Sequence, residues 1–157
     1  MMSKIIPESQ IAQVNKLIDE ADHIVIVCHV SPDGDAVGST LGLYHFLSAR
    51  AKDILIYSRY TDFANELIQK ADLIFCLDFN ALKRIDMMEL AIKNAGAKKI
   101  MVDHHLDPEQ FCNVTISHPE ISSTCELVFR LICRMGMFDD LNVQCATAIY
   151  TGMMTDT

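Results

Sequence analysis

Short apolar runs alternate with longer amphipathic stretches along this chain. The runs that predict strands lie at residues 24–28, 53–57, 73–77, 99–102 and 114–116. Between them, apolar side chains recur at helical spacing, which predicts helices at residues 14–20, 37–49, 62–70, 85–94, 124–135 and 142–153, with an amphipathic lead-in over 1–13. Because strands alternate with helices, the order predicts an α/β fold, a mostly parallel sheet of about five strands with helices on both faces.

Two local patterns mark the ends of helices. Residues 123–126, Ser-Thr-Cys-Glu, form a capping box ahead of an apolar run, which predicts that the fifth helix begins there. Gly96 follows the fourth predicted helix and is predicted to serve as its C′ glycine.

Acidic and imidazole side chains follow four of the apolar segments. The clusters are His29, Asp33 and Asp35; Asp78 to Asn80; Asp103, His104 and His105; and Thr155 to Thr157. In open parallel sheets ligands gather outside the carboxyl ends of the strands, where three of these clusters stand, whereas Asp156 follows the final helix. Two histidines and four aspartates suit two divalent cations, and Mn²⁺ fits this mixture better than Mg²⁺. Such a pair clamps a phosphoryl group and generates hydroxide near neutral pH, so the pattern predicts hydrolysis of phosphate esters.

The first cluster occupies a turn between a strand and a helix. Gly34 permits a conformation that points Asp33 and Asp35 toward one spot. The following helix is predicted to begin near residue 36, and the small Gly38 and Ser39 would let a phosphate approach free backbone N–H groups there. A turn whose aspartates merely cap the helix is the alternative interpretation of this segment.

The other clusters add a shared ligand and an oriented imidazole. Asp78 ends an apolar strand, where a carboxylate can bridge two metals; a solvated loop aspartate is the alternative. Adjacent side chains on an extended segment point in opposite directions, so His104 and His105 are predicted to have different tasks. One would bind metal while the other faces a phosphate, and Asp103 would orient an imidazole.

Composition narrows the class of protein. The chain has 157 residues, half of them hydrophobic and 22% charged, which predicts one folded domain rather than disorder. The net charge of −8 disfavours a long nucleic-acid duplex, but it allows a short anionic substrate because bound cations would neutralise part of the acidity. Six cysteines without a Cys-x-x-Cys pattern are predicted to be buried free thiols. No apolar run reaches the roughly 20 residues of a membrane span, so a cytoplasmic location without a membrane partner is expected.

The ordered motifs resemble those of the DHH phosphoesterase superfamily. They are residues 29–39, Asp103-His104-His105 and Thr155-Asp156-Thr157. The sequence between and around these motifs, notably at 76–80, 103–107 and 121–124, is most similar to the nanoRNase branch of this superfamily, the bifunctional oligoribonuclease and pAp phosphatases. The resemblance covers almost the whole chain. It implies hydrolysis of short single-stranded oligonucleotides to mononucleotides, or of pAp to AMP, through a hydroxide activated by two metals.

The resemblance also implies a role for each site residue. One Mn²⁺ would be held by His29 and Asp33, the other by Asp35, His104 and Asp156, with Asp78 bridging both. The implied catalytic residues are His105, Asp78 and Asp103, and the expected substrate contacts are Gly38, Ser39 and His105. Two Mn²⁺ ions are therefore expected, and other divalent cations are compatible with the same ligands.

Two departures from the family pattern concern domain organisation. The family's second domain carries a glycine-rich motif with a histidine, whereas the six glycines here are never adjacent. The family also has a further strand and loop where this chain passes directly from residue 50 to residue 53. The expectation is a single DHH-type catalytic domain over 1–157, truncated before the second domain and shortened near 50–53.

Three alternatives stay open at this point. An inorganic pyrophosphatase and a cyclic-dinucleotide phosphodiesterase of the same superfamily share the metal motifs. A metal-binding fragment without catalytic activity, or a domain that needs a partner chain, is the third. A homodimer is compatible with the sequence.

Overall fold

One five-stranded sheet organises the molecule in the computed structural model, which describes residues 4–50, 52–57, 62–136 and 138–156. Its strands are β1 (His23–Cys28), β2 (Asp53–Tyr57), β3 (Leu73–Leu77), β4 (Lys98–Asp103) and β5 (Val114–Ser117). They pair in the order β2-β1-β3-β4-β5, and all four pairings are parallel. The predicted α/β fold is therefore confirmed, with every strand parallel.

Helices cover both faces of the sheet. They are α1 (Glu8–Glu20), α2 (Gly34–Ser48), α3 (Asp62–Lys70), α4 (Glu89–Asn94), α5 (Thr124–Arg134) and α6 (Val143–Asp156). Successive strand residues point to opposite faces, so Ile24 and Ile26 join one core with α1, α2, α5 and α6, while Val25 and Val27 join another with α3 and α4. Burial on both faces explains why the strands read as continuous apolar runs.

The prediction of one continuous helix over 85–94 is wrong, although the predicted end at residue 94 is confirmed. A 3₁₀ segment, Leu82–Met88, precedes the short α4, and Asp86 interrupts it with φ 50° and ψ −120°. Gly96 does not end α4 in a left-handed conformation either, because Ala95 already leaves the helix in an extended conformation. The glycine with a positive φ is Gly136, which follows α5.

The first turn of α2 begins earlier than predicted. Gly34 opens the helix, and the Asp33 carboxylate accepts a hydrogen bond from Ala36 N, as an N-cap residue does. The φ of Gly34 is not positive, so the turn does not use a backbone conformation reserved for glycine. A side chain at Gly34 would instead overlap Thr155 of α6.

Close packing of α2 against α6 places the end of α6 beside the sheet. A Cβ at Gly38 would lie 2.7 Å from Ala148 O and 2.8 Å from Gly152 Cα. These glycines therefore let the two backbones approach each other directly. Asp156 lies in the last turn of α6 rather than after it, and this packing carries it to the edge where the other acidic residues lie.

Candidate metal centre

The carboxyl ends of the three central strands hold the candidate site. His29 follows β1, Asp78 follows β3, and His104 follows β4. Since β1, β3 and β4 are neighbours in the sheet, these three residues emerge side by side. Residues that are far apart in the sequence therefore converge, as expected for ligands in an open parallel sheet.

Asp78 occupies the middle of this cluster. Its side chain is 1% exposed, and its backbone has φ 64°, a conformation that aspartate adopts more readily than most residues. One carboxylate oxygen, Oδ2, lies 3.5 Å from His29 Nε2. The other, Oδ1, lies 3.6 Å from His104 Nε2. The carboxylate thus presents one oxygen to each of two histidines.

The first ligand group consists of His29, Asp33 and Asp78. The carbonyl oxygen of Val30 accepts a hydrogen bond from His29 Nδ1 at 2.8 Å, so Nε2 is the ring nitrogen that remains available to a metal. That Nε2 is buried without a hydrogen-bond partner, and it lies 3.8 Å from Asp33 Oδ1. A buried lone pair directed at two carboxylates is what a metal-binding imidazole offers.

The second ligand group consists of Asp35, His104 and Asp156. His104 Nε2 lies 3.5 Å from Asp35 Oδ2 and 3.4 Å from Asp156 Oδ2. Its Nδ1 faces the carbonyl oxygen of Ile121 at 3.3 Å, which fixes the ring orientation in the way common for metal-binding histidines. The donor atoms of both groups therefore fit divalent cations that prefer mixed oxygen and imidazole ligands.

His105 has a different partner from His104. Asp103 is fully buried and accepts two hydrogen bonds from His105, one from Nδ1 at 2.7 Å and one from the backbone N at 3.0 Å. The expectation that the two histidines point in opposite directions is wrong, because β4 ends at Asp103 and their ring centroids lie 4.7 Å apart. His105 Nδ1 is also 4.0 Å from Asp78 Oδ1, and Asp78, His104 and His105 form a third possible ligand group that overlaps the other two.

The N-terminus of α5 makes contacts that the sequence analysis missed. The backbone N–H groups of Thr124 and Cys125 donate to the two oxygens of Asp35 at 2.7 and 2.8 Å. The Thr124 hydroxyl donates to Asp78 Oδ1 at 2.9 Å. Ser123 caps the helix, accepting from Glu126 N at 3.1 Å, so the predicted helix start is confirmed. The capping pattern in the sequence indicated this helix start, but it did not indicate that the helix start binds the carboxylates of Asp35 and Asp78.

Burial and like charges dominate the electrostatics of the cluster. Burial, and after it the negative charge of Asp35, raises the pKa of the Asp78 carboxyl from 3.8 to about 9, although the Thr124 hydroxyl acts in the opposite direction. Burial and the charge of Asp35 also raise the pKa of Asp156. Each cation added between these carboxylates would relieve the repulsion that adds to the effect of burial on these pKa values.

Two of the predicted substrate contacts do not lie on an open surface. Gly38 is buried in the packing of α2 against α6, and Ser39 is fully buried with its hydroxyl donating to Ala36 O. Because α2 already starts at Gly34, neither backbone N–H group is one of the free donors of the first turn. The prediction that Gly38 and Ser39 contact substrate is therefore wrong. Thr157, the last residue of the fourth motif, lies outside the described residues.

The remaining composition-based expectations concern thiols and membranes. All six cysteines are free, and Cys28, Cys76, Cys125 and Cys145 are buried. The other two cysteines are partly exposed. Within the described ranges, no helix combines the length and apolar character that crossing a bilayer requires.

The chain is similar to known proteins both in sequence and in structure. The sequence profile of the DHH family, N-terminal domain, matches residues 23–153. The bifunctional oligoribonuclease and PAP phosphatase NrnA of Mycoplasma genitalium is 27% identical over 95% of the chain and 51% of its own length. An exopolyphosphatase-related protein from Bacteroides fragilis has a TM-score of 0.96 and 54% identity, over 99% of this chain and 52% of that one.

A more distant structure shares the fold. RecJ from Thermus thermophilus, in complex with Mn²⁺, has a TM-score of 0.65 and 19% identity, over 97% of this chain and 25% of its own. The chain thus spans about half the length of the curated relatives that it matches first.

Proposed function

The chain belongs to the DHH family, N-terminal domain, and from this premise we propose that it is the catalytic part of a metal-dependent phosphoesterase. The proposed substrates are short single-stranded oligonucleotides, released as mononucleotides, and pAp, converted to AMP. The observation that carries the proposal is the position of Asp78, whose two oxygens face the histidines of two separate ligand groups.

Two sets of residues in this chain are proposed to bind two cations. In this proposal His29 and Asp33 hold one divalent cation, and Asp35, His104 and Asp156 hold the other, while Asp78 is shared. Two such cations, when bound, supply a Lewis-acid clamp on the phosphoryl group and a nucleophile from water near neutral pH. Mn²⁺ is the proposed ion because of the mixed ligands, and a structure of similar fold, RecJ, binds it.

His105 is the proposed contact to the scissile phosphate. Its Nδ1–H is engaged by the buried Asp103, so the opposite nitrogen, Nε2, is directed away from that carboxylate. When the ring carries both protons, Nε2–H donates to a phosphate oxygen while Asp103 balances the charge of the ring. Asp103 therefore acts by orienting His105.

The nature of the substrate is supported by the relatives and by charge. NrnA proteins, named for oligoribonuclease and PAP phosphatase activity, match nearly the whole chain. A net charge of −8 disfavours wrapping a long polyanion, whereas one or two phosphates need only the local cations. Short oligonucleotides and pAp satisfy both conditions.

The decisive experiment combines binding and hydrolysis on the same preparation. Mn²⁺ binding is measured by calorimetric titration of metal-free protein, and release of AMP from pAp and from a dinucleotide is followed by chromatography. We expect Mn²⁺-dependent release that EDTA abolishes and that Asp62→Asn, on the exposed start of α3, leaves unchanged. If two ions bind but no AMP is released from either substrate, the result would favour a metal-binding fragment without catalytic activity. No bound ion would remove the proposal.

A second candidate is hydrolysis of a phosphoanhydride, as in pyrophosphate or polyphosphate. It is favoured by the 54% identity to a protein named exopolyphosphatase-related. The same ligand groups would serve both bond types, so the assay also includes pyrophosphate, polyphosphate and cyclic di-AMP. A higher kcat/KM on one of these three than on pAp and the dinucleotide would replace the proposed substrates.

A further inference from the structure

The first residue of α5 contacts the carboxylates of both ligand groups. The Thr124 hydroxyl donates to Asp78 Oδ1 at 2.9 Å, and the Thr124 backbone N–H donates to Asp35 Oδ2 at 2.7 Å. Thr124 itself is fully buried, so water does not compete for these hydrogen bonds. We propose that the Thr124 hydroxyl is a positioning group, which holds the Asp78 carboxylate in the orientation that two metal sites can share. This inference rests on the proposed function.

The hydroxyl is not needed to begin the helix. Ser123 already caps α5, because its side chain accepts from Glu126 N. The Thr124 hydroxyl is directed instead at the carboxylate of Asp78, which follows β3. The two tasks of this helix start are therefore carried by two neighbouring side chains, which can be changed one at a time.

The geometry of Asp78 explains why its rotation matters. With Oδ1 bound by Thr124, the carboxylate plane directs Oδ1 toward His104 and Oδ2 toward His29. Without the hydroxyl, no hydrogen bond from α5 holds the rotation about the terminal side-chain bond, which is only weakly restricted in aspartate. An oxygen turned away from its histidine would leave one ligand group incomplete.

The backbone contacts to Asp35 do not depend on the Thr124 side chain. The Asp35 oxygens are bound by the N–H groups of residues 124 and 125, which any side chain except proline would retain. Thr124→Val replaces the hydroxyl with a methyl group of similar size, so it removes only the bond to Asp78. Thr124→Ser keeps the hydroxyl and removes only the methyl group.

The test is calorimetric titration of metal-free protein with Mn²⁺. We expect Thr124→Val to weaken binding about 10- to 100-fold, the range found when groups that orient metal ligands are removed. Thr124→Ser is expected to stay within about threefold of wild type, because it retains the orienting hydroxyl. Ser123→Ala is the matched control: it should lower the melting temperature of the metal-free protein but leave Mn²⁺ affinity near that of wild type.

The outcomes separate this inference from the proposed function. Wild-type protein that binds no Mn²⁺ would overturn both. Wild-type binding with an equal affinity in Thr124→Val would overturn the role of Thr124 and leave the metal centre standing. Equal losses in Thr124→Val and Ser123→Ala would assign the effect to the helix start rather than to the hydroxyl, and would also overturn the role. If Thr124→Val does not fold, Thr124→Ala carries the same comparison.

Discussion

The two ends of the sheet differ in how their charged side chains are paired. At the amino end, Lys99 Nζ donates to the carbonyl oxygens of Ala95 at 2.9 Å and Ala97 at 3.2 Å. Lys52 Nζ likewise donates to Ala21 O at 2.6 Å, just after α1. Carbonyl groups left free at the ends of helices collect at this end of a parallel α/β fold, and they accept hydrogen bonds from cations.

The carboxyl end gathers charges that the chain itself does not balance. Asp78 is buried beside Asp35, and His29 Nε2 has no hydrogen-bond partner. Helix N-termini relieve part of this charge, as the contacts of α5 to Asp35 show. The hydrogen bonds at the amino end therefore stabilise the fold. The ligands at the carboxyl end destabilise the metal-free fold, and external cations would complete them.

The largest expected effect comes from Asp78→Asn. An amide carries no negative charge to offset the two cations, so we expect Mn²⁺ affinity to fall more than ~100-fold, beyond the cost of removing a group that only orients a ligand. The fold should remain, because the substitution keeps the side-chain shape and introduces no additional buried charge. Calorimetric titration and metal counting by mass spectrometry measure the effect, with Asp62→Asn as the control. Unchanged stoichiometry and affinity would contradict the shared role of Asp78.

The next effect concerns pH and is measured on metal-free protein. Asp78 holds its proton in the folded state up to a pKa of about 9 but releases it near 3.8 when unfolded. The folded state therefore binds more protons within this window, and the stability of wild type should fall as pH rises from about 4 to about 9. Asp78→Asn lacks this titration, so its stability relative to wild type should increase with pH.

Denaturant unfolding in EDTA at several pH values across the window measures the difference. The measurement is repeated with saturating Mn²⁺, which should remove the decline in wild type. A constant difference between wild type and Asp78→Asn across the window would show that Asp78 does not carry the buried proton.

The smallest effect is expected at the amino end. Lys99→Met keeps an unbranched side chain of similar length but leaves the carbonyl oxygens of Ala95 and Ala97 without their donor. We expect a loss of ~1–3 kcal/mol in the free energy of unfolding, typical of unsatisfied buried polar groups, and no change in Mn²⁺ affinity. If Lys99→Met changed Mn²⁺ affinity as much as Asp78→Asn, the proposed difference between the amino and carboxyl ends of the sheet would be contradicted.

The sequence alone determined the strands and the position of the acidic clusters. Runs such as 73–77 are apolar at every position because both faces of a parallel sheet are buried, and this pattern is local enough to read directly. Errors arose where local signals compete with packing. Gly38 suggested an open phosphate site, but it serves the contact between α2 and α6. Gly96 follows the end of α4 as predicted, but without the left-handed conformation of a C′ glycine.

Only the tertiary structure decided which side chains meet. The order β2-β1-β3-β4-β5 sets β3 between β1 and β4, and therefore Asp78 between His29 and His104. Asp156 joins them through helix packing, and Thr124 reaches Asp78 from the start of a helix that is distant in the sequence. Periodicity and capping patterns report burial and hydrogen bonding within a few residues, whereas these contacts arise from the docking of whole elements, for which the chain carries no local pattern.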